Sequence, residues 1–217
     1  MTDGLVREAA ALAARPGGRT VLGIAGPPGA GKSTLAKQLV AGVNEKSGPD
    51  TAAYFPMDGF HLSNTQLTRL GLERRKGSLP SFDVHGYLAL LERLLTEDGH
   101  PVYVPDYDRE LHEPVAARIV VPPAARLVVT EGNYLACDEA GWREVRTRLS
   151  EVWYLDVARE VREARLVERQ LAGGRNHDEA VAWVETNDRP NGELVERHRH
   201  HCTRIVGEEQ ESGPPAA

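Results

Sequence analysis

The sequence predicts an α/β domain in which a mostly parallel sheet of about five strands lies between two helical layers. Three observations predict it. Short, almost wholly apolar runs recur at residues 20–25, 51–55, 126–130 and 151–156, the pattern of strands buried on both faces. Amphipathic helical patterns alternate with these runs, as parallel βαβ units require. The chain has 217 residues, 41% of them hydrophobic, enough for one full core.

Residues 5–14 form a short amphipathic stretch broken by Pro16-Gly17-Gly18. The first strand, 20–25, ends at Gly26, and from Lys32 to Val43 the apolar residues Leu35, Leu39, Val40 and Val43 fall on one helical side. The second strand is stopped by Pro56 and leads into Met57-Asp58-Gly59. Residues 62–83 read as mixed helix and loop, and 86–95 as a helix carrying Tyr87, Leu88, Leu91, Leu94 and Leu95. Short extended pieces are expected at 102–104 and 118–121 in a Pro-rich section. Helices are expected over 158–171 and 178–201, the second divided near Arg189-Pro190. Residues 1–207 read as one domain, and 208–217, polar with Gly and two Pro, as a disordered tail. Trp142, Trp153 and Trp183 read as packing residues.

Composition excludes several classes. With 26 basic against 32 acidic residues the net charge is −6, against a nucleic-acid partner. A mean hydropathy of −0.42 and the lack of any run near the ~18 apolar residues of a span exclude a membrane protein. The N-terminus does not read as a signal peptide. Cys137 and Cys202 form no C-x-x-C pair and are expected as reduced thiols in the cytoplasm. His198-x-His200-His201 lacks paired cysteines and the i, i+4 spacing of helical ligands, so a polar helix end is expected there, not a metal site.

One motif carries chemistry. Gly26-Pro27-Pro28-Gly29-Ala30-Gly31-Lys32-Ser33-Thr34 fits G-x-x-x-x-G-K-[ST], with a strand pattern before it and a helix pattern after. Glycines let the backbone turn its N–H groups onto phosphate oxygens at the positive end of a helix. Lys32 adds a charge for the β- and γ-phosphates, and the Ser33 hydroxyl is placed to ligate Mg²⁺. The expected fold is therefore a three-layer P-loop NTPase sandwich binding ATP and Mg²⁺. A GTPase is disfavoured, because none of the four lysines follows an Asn as a guanine reader requires. A small-molecule kinase remains.

With Met57-Asp58-Gly59-Phe60-His61-Leu62, Arg75-Lys76-Gly77, Pro105-Asp106-Tyr107-Asp108-Arg109, His112 and Glu131-Gly132-Asn133-Tyr134, the chain resembles the uridine kinase, phosphoribulokinase and type I pantothenate kinase group. It is most similar to the short bacterial nucleoside/nucleotide kinase-like members. The resemblance runs from about Thr20 to Val206. It implies that Asp58 orients the acceptor hydroxyl and takes its proton, and that Glu131, in the Walker B position, holds Mg²⁺ through water. Arg162, Arg165 and Arg169, at helical spacing, look like a lid over about 162–178 that neutralises the transferring phosphoryl group. Arg175 would reach nucleotide or product.

Tyr107, Arg109 and His112 resemble substrate-pocket residues, and Arg109 stands where uridine kinases carry Phe, favouring a carboxylate, phosphate or polyol. Phe60 and His61 either line that pocket or belong to the core. Arg75 and Lys76 either bind an anionic group of the acceptor or are solvated loop charges. The expected function is phosphorylation of a hydroxyl on a nucleoside, sugar or related polyol. A pantothenate-like acid kinase and a non-catalytic ATP-binding regulator are the alternatives. The family resemblance also implies a homodimer.

Overall fold

The computed structural model describes residues 2–207; the tail expected at 208–217 lies outside the described residues. Fifteen regular elements form the scaffold. They begin with helix α1 (Thr2–Ala13), strand β1 (Thr20–Ala25), α2 (Lys32–Ser47), β2 (Ala52–Pro56), α3 (Asn64–Leu70) and α4 (Val84–Thr96). Next come β3 (Val102–Asp108), β4 (Glu113–Val121), β5 (Leu127–Gly132), α5 (Trp142–Thr147) and β6 (Glu151–Asp156). The chain closes with α6 (Arg159–Ala172), α7 (His177–Trp183), α8 (Arg189–Arg197) and β7 (Arg204–Gly207).

The main sheet has five strands in the order β2-β5-β1-β6-β7, and each adjacent pair is parallel. The strands read as continuous apolar runs because each is covered on both faces. Leu22 and Ile24 of β1 with Leu127 and Val129 of β5 pack against α1 and α2 through Leu5, Leu12, Ala36 and Leu39. Val21 and Val128 point to the other side, where Tyr87, Leu91, Leu94 and Trp142 close the core. Each large aliphatic side chain buried there stabilises the fold by about 1.5–3 kcal/mol.

Four elements differ from expectation, the first being α5, a six-residue helix in a stretch where the sequence reading placed none. The extended pieces of the Pro-rich section lengthen into a separate antiparallel hairpin, β3–β4. Its register shifts between Val104 and Asp106, at Pro105, which has no N–H for the ladder. The fifth strand, β7, was not visible in the sequence: it has four residues with only Val206 buried. The divided C-terminal helix does not break at Pro190. A π turn, Val184–Asp188, joins α7 to α8, and Pro190 stands in the first turn of α8, where its missing N–H leaves no bond unmade.

Candidate active site

The loop between β1 and α2 is shaped by glycine. Gly29 has φ 79°, and a Cβ there would lie 2.6 Å from the Arg162 carbonyl oxygen of α6. The phosphate loop is therefore packed directly under the expected lid helix. At its end Gly31 caps α2 without any side-chain hydrogen bond, which leaves first-turn amides for an anion.

Lys32 is buried, and its Nζ donates to Pro27 O at 2.9 Å and to Asn133 Oδ1 at 2.7 Å. Burial lowers its pKa to about 8 even though Glu131 and Asp58 pull the other way. Glu131, on the last turns of β5, accepts from Ser33 Oγ at 3.0 Å and from Tyr54 OH at 2.8 Å through the same oxygen. Burial and the nearby Asp58 charge raise its pKa. Tyr54 is explained by register: Pro56 of β2 faces Glu131, so Tyr54, two residues back, shares the Glu131 face.

Asp58 lies on a 3₁₀ turn, Met57–Phe60, directly after β2. Gly59 in that turn meets the hairpin so closely that a Cβ would lie 2.4 Å from Pro105 O. The hairpin is thereby pressed onto the Asp58 turn and becomes the far wall of a cleft of about 330 Å³. Ser33, Tyr54, Asp58 and Glu131 line one side of the cleft. Asp106, Tyr107, Asp108 and Arg109 from the hairpin line the other, with Lys37 and Arg118 at its margin. Arg118 is ion-paired to Asp108. Burial, with the nearby Asp58 charge, raises the Tyr107 hydroxyl to about 12.

Of the residues read from sequence, Ser33, Asp58, Tyr107, Arg109 and Glu131 meet in this cleft, with Lys32 beneath it. Others do not. Phe60 is a core residue, edge-on to Phe55 and Tyr87 at centroid distances of 5.7 and 5.1 Å. The His61 ring packs between Phe82 (4.1 Å) and Tyr107 (4.8 Å), so it supports the wall from behind. Lys76 is spent on the loop: its Nζ donates to Asn64 Oδ1 and His112 O, and it lies 5.2 Å from the Tyr107 ring. His112 holds a left-handed turn position, φ 53°, and its carbonyl is the group in use. Arg75 is exposed outside the cleft lining.

The lid arginines divide. Arg162 is buried, giving Nε to Val157 O and Nη2 to Glu196, which fastens α6 to α8; the lid role expected of it is corrected to a structural one. Arg165 and Arg169 are exposed on α6. Arg169 stands close enough for its charge to act on Lys32 and Tyr107. Arg175 stacks on Trp183 at 4.0 Å and bonds Gln170; its reach toward a nucleotide is not seen. Two residues not singled out in the sequence, Tyr54 and Asn133, hold Glu131 and Lys32. Asn133 stood in the Glu131-Gly132-Asn133-Tyr134 motif without a role of its own, and it lies just past the end of β5.

The donor set suits the ligands the loop implies. Ser33, Glu131 and Asp58 are all hard oxygen donors on one cleft, the chemistry of a Mg²⁺ site. The uncapped amides of α2 and the buried Lys32 ammonium suit polyphosphate.

The chain is similar to known proteins over most of its length. Residues 21–191 match the model of the Phosphoribulokinase / Uridine kinase family. A Schizosaccharomyces pombe protein described as "Putative uridine kinase C227.14" is 32% identical over 186 residues, covering 83% of this chain and 79% of its own. The Escherichia coli protein YggC is 32% identical over 198 residues, 91% of this chain and 81% of its own. The crystal structure of a "putative fructose transport system kinase" from Silicibacter sp. TM1040 superposes with a TM-score of 0.86 at 35% identity, covering 95% of this chain and 98% of the other.

Proposed function

Because the chain belongs to the phosphoribulokinase/uridine kinase family and is a P-loop kinase, we propose that it transfers the γ-phosphate of ATP to a hydroxyl of a sugar, nucleoside or related polyol. The observation that carries this reading is one cleft holding Asp58 together with the Ser33–Glu131 pair. A protein that only bound nucleotide would have no use for a carboxylate on the acceptor side.

Asp58 accepts the proton of the acceptor hydroxyl as its oxygen bonds to phosphorus and the bond to the departing ADP breaks. Lys32 and the first-turn amides of α2 hold the phosphates. Ser33 and Glu131 would hold Mg²⁺, which supplies charge neutralisation at the β- and γ-phosphates. Arg169, with Arg165, brings cationic charge from the lid side. The hairpin wall is polar, with Asp106, Asp108 and Arg109 facing the cleft, which suits an acceptor rich in hydroxyls. The names of two relatives, a fructose transport system kinase and a uridine kinase, point to the same class.

Arg109 carries a second reading. A guanidinium pairs a carboxylate in bidentate fashion, so a pantothenate-like acid is the next candidate. The test is ATP turnover against a panel of sugars, polyols, nucleosides and pantoic-acid derivatives. Turnover with a sugar, polyol or nucleoside supports the first reading, and turnover with pantoic derivatives alone supports the second. No turnover with any of them overturns both in favour of a nucleotide-binding regulator.

A further inference from the structure

The histidine cluster at the end of α8 lacks the sequence spacing of a metal site, but the fold supplies partners from another part of the chain. Cys137 and Glu139 lie in the connection from β5 to α5, and His198 caps α8. A ligand atom of each lies within 4.8 Å of the other two. We propose that Cys137, Glu139 and His198 form a binding site for a Zn²⁺-like transition-metal ion that fastens the end of α8 to the β5–α5 connection.

The hydrogen bonding around the cluster supports an ion. His198 Nδ1 lies 2.9 Å from Leu194 O, and a carbonyl only accepts, so Nδ1 carries the proton. That bond fixes the ring in the way outer partners orient metal-binding imidazoles. In the neutral ring it leaves Nε2 as a lone pair, 4.0 Å from Glu139 Oε2. Glu139 Oε2 is itself buried with no hydrogen-bond partner, an arrangement that costs stability unless something positive satisfies it. Cys137 is fully buried beside these two groups. Burial and then the Glu139 charge push its thiol up to about 12, against the weaker pull of Arg146 and Arg197, so a metal ion would have to displace the thiol proton. Three lone-pair donors thus converge.

Zn–S and Zn–N bonds of about 2.3 and 2.0 Å place ligand atoms roughly 3.5 Å apart, so the cluster needs only a small contraction, and water can fill a fourth position. Sulfur and imidazole select a borderline metal, whereas Mg²⁺ takes oxygen. The site is therefore chemically separate from the Ser33–Glu131 cleft. The rival explanation for the same contacts is an imidazolium–carboxylate ion pair.

Cobalt distinguishes the two. The full chain, stripped of metal and held in excess Mg²⁺ to occupy the oxygen site, is titrated with Co²⁺. One equivalent should bind with a near-ultraviolet thiolate-to-cobalt charge-transfer band and tetrahedral visible bands, all displaced by Zn²⁺. Cys137→Ala should abolish the band, and His198→Gln, which removes a ligand itself, should weaken binding by more than the roughly 10–100-fold that loss of an outer partner costs, while His200→Gln and Cys202→Ser leave it unchanged. Zn²⁺ should raise Tm of the wild type and not of His198→Gln, which decides the matter even if Cys137→Ala fails to fold. A missing charge-transfer band at excess Co²⁺, or one that survives in Cys137→Ala, overturns the proposal. So does one lost with Cys202→Ser, or a His198→Gln destabilisation independent of Zn²⁺, which is the signature of the ion pair.

Discussion

Asp58 and Asp188 are two carboxylates in unlike surroundings. Asp58 lines the open cleft. Asn fills the same space and accepts hydrogen bonds but cannot readily take a proton. Asp58→Asn should therefore keep the fold and Mg·ATP affinity while kcat falls by about 10²–10⁴-fold. Calorimetric ATP titration beside steady-state turnover checks this, and a near-wild-type kcat would remove Asp58 from its role. Asp188 is buried on the π turn with Oδ2 unpartnered. Burial pushes its carboxyl up to about 6, against the pull of Arg169 and Arg175. A folded-state pKa above the unfolded value means that its contribution is favourable at low pH and is lost as pH rises through about 6. Asp188→Asn should accordingly be more stable than wild type at pH 8, by roughly 1–3 kcal/mol, and keep only about half of that advantage at pH 5, midway between the ordinary value and about 6. Denaturant titrations at the two pH values test the sign; an equal difference at both would refute it. At this scale Lys32, Ser33 and Glu131 were legible in the sequence, because each sits at a fixed distance from a glycine or a strand end. Phe60 and Lys76 were not, because only the tertiary neighbours Tyr87 and Asn64 decide where an aromatic or an amine beside the site will point.

Among the elements, α6 carries opposite duties on its two sides. Arg162 and Glu163 face α8, bonding Glu196 and Arg189, the latter at 2.8 and 2.9 Å. Arg165 and Arg169 are exposed. If those two meet the transferring phosphoryl group, changing either to Ala should lower kcat by roughly 10²-fold or more and move stability by about 0.5 kcal/mol or less. Unchanged kcat with a lowered Tm would instead make them surface residues. The longer helices were read from apolar periodicity, whereas the short α3 and α5 were not placed, nor were the partners. Glu163 pairs across to Arg189 of α8 and not along its own helix, and pairing between helices depends on their docking. The π turn was likewise hidden: Pro190 signals a break, and nothing local tells a break from a widened turn.

Taken whole, the molecule is a parallel sheet that delivers a phosphate loop and two carboxylates to one edge, with the hairpin β3–β4 added as a wall. Four of the sheet's five strands were legible because buried parallel strands leave apolar runs, and β7, with only Val206 buried, was not. The hairpin was not, because its strands are half-exposed and interrupted by Pro105. Replacing residues 106–116 by a short turn should leave a folded protein that still binds Mg·ATP but loses acceptor turnover. Thermal shift with ATP beside the acceptor assay checks it, and retained turnover would show that the acceptor does not use this wall.

β7 pairs with β6 through Trp153↔Arg204 to Asp156↔Gly207, so the segment carrying α6, α7 and α8 leaves the sheet and comes back to it on the neighbouring strand. The segment expected as a lid is thus a belt buckled at both ends. It can flex at Gly173-Gly174, where Gly174 has φ 92°, but it cannot swing free as a terminal flap would. A protease cut at that hinge would release neither half: the downstream piece stays gripped by β7 and by the Arg162–Glu196 and Glu163–Arg189 clasps, and the two fragments should travel together until the sheet itself is unfolded.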